Sequence, residues 1–273
     1  MTIHQRPRSF TTQAIVLRHS DLGDADRLLT LITPDHGLLR GTAKGARRPT
    51  SRLGGHLDLL CQVAVSVHVG RSLYTITQVE TVNAFRRLRS DIRGLSCGLY
   101  LAELAQQFSV EDGPSPPVFN LLAGALESLC EDRAPDVLLR WFELRILSLT
   151  GFQPELRVCA ECEQELQPRE HVFSAERGGV ICQDCRSAGS DVLLPAGVNT
   201  IKVLRHLSTN GYDAVAGLSM GDEERRQVER ILQGHLERVL DRPLRSSAFV
   251  NEVRGWSEES QANGETQGRE RVS

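Results

Sequence analysis

Four of the seven cysteines fall in one pattern. Cys159-Ala-Glu-Cys162 is followed, after 19 residues, by Cys182-Gln-Asp-Cys185. Two residues between paired cysteines let both sulfurs of a knuckle turn toward one ion, and two knuckles supply four thiolates in a tetrahedron. Between them, His171-Val-Phe-Ser-Ala-Glu-Arg-Gly-Gly-Val-Ile181 reads as a hairpin turning at Gly178-Gly179, the layout of a zinc ribbon. Four sulfur ligands leave no position for water or substrate, so the expected cofactor is one structural Zn2+ rather than a catalytic metal. Iron or a cluster, and redox-active thiols, are the alternatives for the same spacing. The remaining cysteines, Cys61, Cys97 and Cys130, lie on apolar periodic segments and read as buried small hydrophobes.

A chain of 273 residues can bury a core without disulfides and has length for about two domains. No apolar run reaches the roughly 18 residues of a membrane helix, and residues 1–10 lack the apolar stretch of a secretory signal. A membrane protein, a secreted mini-protein and a mostly disordered chain are therefore disfavoured, and no membrane partner is expected. The net charge of −3 hides an asymmetry: residues 1–90 hold 13 basic and 6 acidic side chains, and the remainder is correspondingly acidic. Residues 36–56 carry Arg40, Lys44, Arg47, Arg48 and Arg52 with no acidic residue, and with glycines at 45, 54 and 55. A strand running into such a loop can track phosphates, which makes these five cations the candidate DNA-binding residues. The alternative is a solvated loop whose arginines serve solubility. Residues 1–85 hold only Phe10, Tyr74 and Phe85 as aromatics, too few for a surface that stacks bases, so binding is expected to be electrostatic and tolerant of sequence and strandedness.

The organisation reads as α+β: an N-terminal antiparallel β-barrel followed by an all-helical domain with an embedded four-cysteine zinc ribbon. In Gln62–Val69 the valines 63, 65, 67 and 69 fall on one face, a period of two. Thr12–Arg18, Leu28–Thr33, Leu38–Ala43 and Leu73–Val82 are the other strands, and five short strands in 83 residues match the size of an OB fold or an SH3-like barrel. From residue 84 the period becomes helical, with Leu88, Ile92, Leu95, Leu99 and Ala102 on one stripe. Further helices are expected at Val118–Cys130, from Pro135 to about Thr150, near Ala196–Ser208 and at Asp222–Leu240. The division is then a basic barrel over 1–83, helical parts over 84–158 and 188–250, the zinc insert over 159–187, and a disordered polar tail over 251–273.

No pattern in the sequence builds a clear catalytic site. Asp21, Asp24 and Asp26 are close enough in sequence to hold a divalent metal, as a nuclease needs, but a capped turn between strands is the plainer reading. Neither glycine cluster has the spacing of a phosphate-binding loop, and no nucleophile sits with a base.

Taken in order, the segments Ala14-Ile-Val-Leu-Arg18, Gly23 to Thr33, Gly37-Leu-Leu-Arg, Ala43-Lys-Gly-Ala-Arg-Arg48, Leu99 to Leu104, Leu139 to Leu147, Thr150 to Leu156 and Phe173 to Cys182 resemble the RecO family of bacterial recombination mediators. The likeness spans about residues 12 to 250. It implies an OB fold, a helical C-terminal domain, an embedded zinc motif and a non-enzymatic role in DNA repair in the bacterial cytoplasm, at the nucleoid during repair. It also implies partners: single- and double-stranded DNA, RecR, the acidic C-terminal tail of the single-stranded DNA-binding protein and, indirectly, RecA. An acidic tail needs a cation beside an apolar groove, and Arg140, between Leu139 and Phe142, is the candidate. The competing classes are a zinc-stabilised nuclease and a cysteine redox switch.

Overall fold

The structure is a computed structural model that describes residues 8–131, 135–186 and 191–255. It divides into two compact units, residues 1–131 with 244–273, and residues 132–243.

The first unit is built on five strands: β1 (Ser9–Leu22), β2 (Asp26–Thr33), β3 (Gly37–Ala43), β4 (Gln62–His68) and β5 (Tyr74–Asn83). They close into a barrel in the order β1-β2-β3-β5-β4. All pairings are antiparallel except the closing one, where Gly41 and Thr42 of β3 pair in parallel with Tyr74 and Thr75 of β5. The alternating valines do what their period requires: Val63, Val65 and Val67 are fully buried. They meet Ala14, Val16, Leu29, Leu31, Leu39 and Ile76 inside the barrel. Each such side chain contributes roughly 1.5–3 kcal/mol by leaving water. Val69 falls outside β4, in the turn that follows it.

The single helical stripe expected from residue 84 is two helices, α1 (Arg86–Arg89) and α2 (Ile92–Gln107). Asp91 breaks the stripe because it caps α2, its carboxylate accepting the backbone N–H groups of Arg93 (3.1 Å) and Gly94 (2.9 Å). Helix α3 (Pro116–Cys130) starts on its first-turn prolines. Residues 245–255 form a helix the periodicity does not announce. Its start is capped from far away in sequence: the Glu103 carboxylate accepts the N–H groups of Arg245 and Ser246 and the Ser246 hydroxyl. Leu244, Val250 and Val253 are buried with it, which returns the chain to the first unit. Residues 256–273, most of the expected polar tail, lie outside the described residues.

The second unit holds α4 (Pro135–Leu149), α5 (Val198–Thr209), α6 (Tyr212–Val215) and α7 (Asp222–Leu240), with a three-stranded sheet in the order β7-β6-β8. Strands β6 (His171–Ser174) and β7 (Gly179–Ile181) are the expected hairpin, and its turn ends on Gly178 at φ 71°. Strand β8 (Leu193–Ala196) is an addition: it pairs with the other edge of β6 and carries Pro195, which an edge strand tolerates. Trp141 on α4 donates its indole N–H to the Asn210 carbonyl at 2.9 Å and packs against Tyr212, fixing the α5–α6 connection.

His235 on α7 ties this unit together. It is 4% exposed, its Nε2 lies 2.8 Å from the Phe152 carbonyl oxygen, and its ring meets Phe173 of β6 edge-on. Burial holds the imidazole below its ordinary value of 6.5, against a smaller upward pull from the Phe152 carbonyl. On acidification the unfolded chain takes up this proton first. The stability His235 contributes is therefore complete above pH 6.5 and is lost as the pH falls through the lower folded value. Denaturant titrations should show wild-type stability falling below pH 6.5, and a shallower fall for His235→Gln, whose amide keeps a donor for Phe152. Equal slopes would remove His235 as the source.

Candidate metal centre and nucleic-acid interface

The two knuckles meet. The Sγ atoms of Cys159, Cys162, Cys182 and Cys185 all lie within 4.8 Å of one another. The Cys162 and Cys182 sulfurs are 3.9 Å apart, far beyond a disulfide bond and close to the edge of about 3.8 Å of a sulfur tetrahedron around one zinc. Local backbone sets this up. Glu163 adopts φ 60°, its N–H returns to the Cys159 carbonyl at 2.9 Å, and Ala160 N–H bonds Val180 of β7. On the other side Cys185 N–H returns to the Cys182 carbonyl at 3.2 Å. The Cys182 N–H donates to Cys159 Sγ at 3.3 Å.

Cys159 and Cys185 are driven apart electrostatically. Burial raises the Cys159 thiol, but the N–H groups of Cys182, Cys162 and Glu161 outweigh it and bring it down to about 6. Cys185, crowded by the Cys182 sulfur and the other thiols, is pushed up to about 12. Four sulfurs at this spacing cannot all ionise against one another, and a divalent cation is what reverses that. The donor set therefore fits a thiophilic metal ion. Arg177 braces the site from outside, pairing with Asp191 at 2.8 Å and with Glu161, between the first two cysteines, at 3.1 Å. Ser174 also donates to Asp191. Among the described residues these four cysteines are the only His, Cys, Asp and Glu group placed to hold a metal ion. Cys61 and Cys97 are buried as expected of small hydrophobes, and Cys130 is half-buried.

The five basic-loop cations do not act alike. Arg40, on the outer face of β3, and Lys44, Arg48 and Arg52 beyond it are exposed. Arg47 is committed to the fold. Its guanidinium pairs with Asp21 at 3.1 Å and donates to the Gly23 carbonyl, while its own N–H bonds the Ala25 carbonyl. The Asp26 carboxylate accepts the Gly45 N–H at 2.8 Å, where Gly45 turns at φ 66°. Thus Asp21 and Asp26 hold the β1–β2 turn to the basic loop, as the capped-turn reading of that acidic group expects. Nor is the loop open: Gly54 presses so near the Ala46 carbonyl that a Cβ there would lie 2.2 Å from its oxygen.

Arg140 departs from expectation in its burial. On α4 it is 6% exposed rather than a surface arginine, with Nη2 3.1 Å from Oε1 of the fully buried Glu143, and it lies among apolar neighbours as expected from the sequence. A guanidinium so enclosed would have to break a buried pair with Glu143 before it could meet an acidic tail.

Residues 8–85 match the family model described as Recombination protein O N terminal, and residues 89–248 match Recombination protein O C terminal. The chain belongs to the RecO family. A protein named DNA repair protein RecO from Dehalococcoides mccartyi is 37% identical over 249 residues, covering 91% of this chain and 98% of that protein. Those of the same name from Roseiflexus sp. and Desulforudis audaxviator are each 37% identical, covering 91% and 90% of this chain and 87% and 98% of theirs. The RecO family is one of DNA repair, so the repair role that the resemblance implied holds at that level. No helix among the described residues is long and apolar enough to cross a membrane.

Proposed function

We propose that this chain is a DNA-binding recombination mediator that performs no chemical step. It would bind single- and double-stranded DNA, anneal complementary strands and, with RecR, help load RecA onto DNA coated by single-stranded DNA-binding protein. The observation that carries this reading is the exposed set Arg40, Lys44, Arg48 and Arg52, on β3 of a closed five-stranded barrel and in the loop that follows it. The strand order with a parallel β3–β5 closure fits an OB fold, an architecture that binds oligonucleotides on its outer face. Annealing needs neutralised phosphates and free base edges, and a cation-rich surface poor in aromatics supplies the first without trapping the second. The sulfur tetrahedron would hold one structural zinc ion, whose contribution is to the fold of the second unit.

Annealing of complementary strands coated with their binding protein is the test. Replacing Lys44, Arg48 and Arg52 together by alanine should abolish annealing and flatten the log–log salt dependence of single-strand affinity by about 2, since each phosphate contact contributes about 0.7. Arg47→Ala should act through stability of the β1–β2 turn, lowering the melting temperature. Annealing unchanged in the triple variant would move the DNA site off this loop, and magnesium-dependent DNA degradation by the wild type would favour the nuclease reading instead.

A further inference from the structure

The outer face of the barrel carries a row of residues that runs from Arg40 away from the basic loop. Arg18 of β1 pairs across Thr30 of β2 with Arg40 of β3, so three adjacent strands present two exposed arginines flanking a hydroxyl. They line a cleft of about 300 Å3 together with Ser20, Gln106 and Glu111. A second cleft of about 260 Å3 shares Arg40 and Glu111 and continues past Arg71, Ser72 and Tyr74 to Asp112. The two form one groove with three arginines along it.

Two of its walls are acidic, and both come from the connection between α2 and α3. That connection is fitted to the barrel by backbone contacts. Leu38 N–H bonds the Val110 carbonyl at 2.9 Å, Ser115 N–H bonds the Pro34 carbonyl at 2.9 Å, and Glu111 bridges Gly37 and Leu38. Gly37, at φ 62°, admits it: a Cβ there would lie 2.2 Å from the Gly113 oxygen and 2.4 Å from that of Val110. Asp112 stands at φ 56° and accepts the Tyr74 hydroxyl at 2.7 Å. Both carboxylates belong to exposed residues.

We propose that Val110–Gly113 is an acidic strap that competes with nucleic-acid phosphates for Arg18, Arg40 and Arg71, setting the affinity of this groove for single strands. This rests on the DNA-binding reading and adds its regulation. Three guanidinium groups beside two carboxylates leave the groove with one net positive charge where it would otherwise have three. A strand entering it meets Glu111 and Asp112 along the same cleft walls as the arginines, so its phosphates are repelled by the carboxylates while the guanidinium groups attract them. Affinity is thereby held low enough for release, which a protein that hands strands to a partner requires. The strap is attached through backbone groups along the β3 edge, so its carboxylates can be neutralised without cutting the attachment.

The test is single-strand affinity by fluorescence anisotropy over a salt series, for the full chain. Glu111→Gln with Asp112→Asn keeps the side-chain volumes, the acceptor for Tyr74 and a residue that tolerates left-handed backbone. It should bind a single strand about fivefold more tightly at low salt, with the gain shrinking as salt rises. Arg18→Ala with Arg40→Ala should weaken binding and cancel that gain when combined with the strap changes. Unchanged affinity on neutralising the strap, while the arginine changes still weaken binding, overturns the strap and leaves the DNA-binding reading intact. A gain that survives loss of Arg18 and Arg40 also overturns it, since the carboxylates would then act elsewhere. No binding by folded wild type would overturn both.

Discussion

Replacing Cys159 and Cys182 together by serine is expected to unfold the sheet of the second unit. Structural zinc in small domains supplies about 10–16 kcal/mol of apparent binding energy, as much as the whole stability of a typical domain. Around the four sulfurs the regular structure is short: β6 and β7 are fully buried but only four and three residues long. What ties the two knuckles together is the bond of Ala160 N–H to Val180 of β7 and that of Cys182 N–H to Cys159 Sγ. Without a cation, a thiol near 6 and one near 12 stand side by side, and the charged set cannot form. Metal analysis of the purified wild type should give one zinc per chain. Hydrogen exchange should show protection over 155–196 vanishing in the serine variant or on chelation, while the valine core of the barrel, in the other compact unit, stays protected. Wild type free of metal, with protection indifferent to the serine changes, would remove the structural-metal reading and leave the redox one.

Arg140→Ala is the second large effect, and its direction depends on burial. The substitution leaves the Glu143 carboxylate without its 3.1 Å partner in a place with no solvent. Breaking a buried pair from one side costs about 3–5 kcal/mol. Arg140→Met with Glu143→Leu should recover most of that, because an apolar pair of similar volume needs no desolvation. Chemical denaturation of the two single variants and the double one measures this directly. Loss of less than about 1 kcal/mol in Arg140→Ala would mean the pair is wetter than its burial implies. Acidic-peptide binding, measured on the folded double variant, is expected to be unaffected.

Features written in short stretches of sequence are the ones legible from the chain alone. The knuckle spacing states its chemistry because each Cys-x-x-Cys turn needs no other part of the chain to aim its sulfurs. The period of two in β4 and the helical period of α7 are of the same kind, as each face is decided by neighbours in sequence. The run of five cations without an acidic residue over 36–56 could likewise be read from the sequence alone.

Tertiary structure decided what depends on residues far apart. The barrel closes through two parallel pairs between β3 and β5, a contact no local pattern encodes. Strand β8 exists because β6 has a free edge, and the helix over 245–255 because Glu103, some 140 residues earlier, caps it. The same distinction separates Arg47 from Arg48. Adjacent arginines are equivalent in the sequence, but only one reaches Asp21 and the Gly23 carbonyl across the β1–β2 turn. It also buried Arg140, whose helix carries apolar residues on too many sides for the sequence to say which polar one turns inward. A sequence shows charge and period directly; which charge is spent on the protein itself is settled only when the strands and helices that surround it have met.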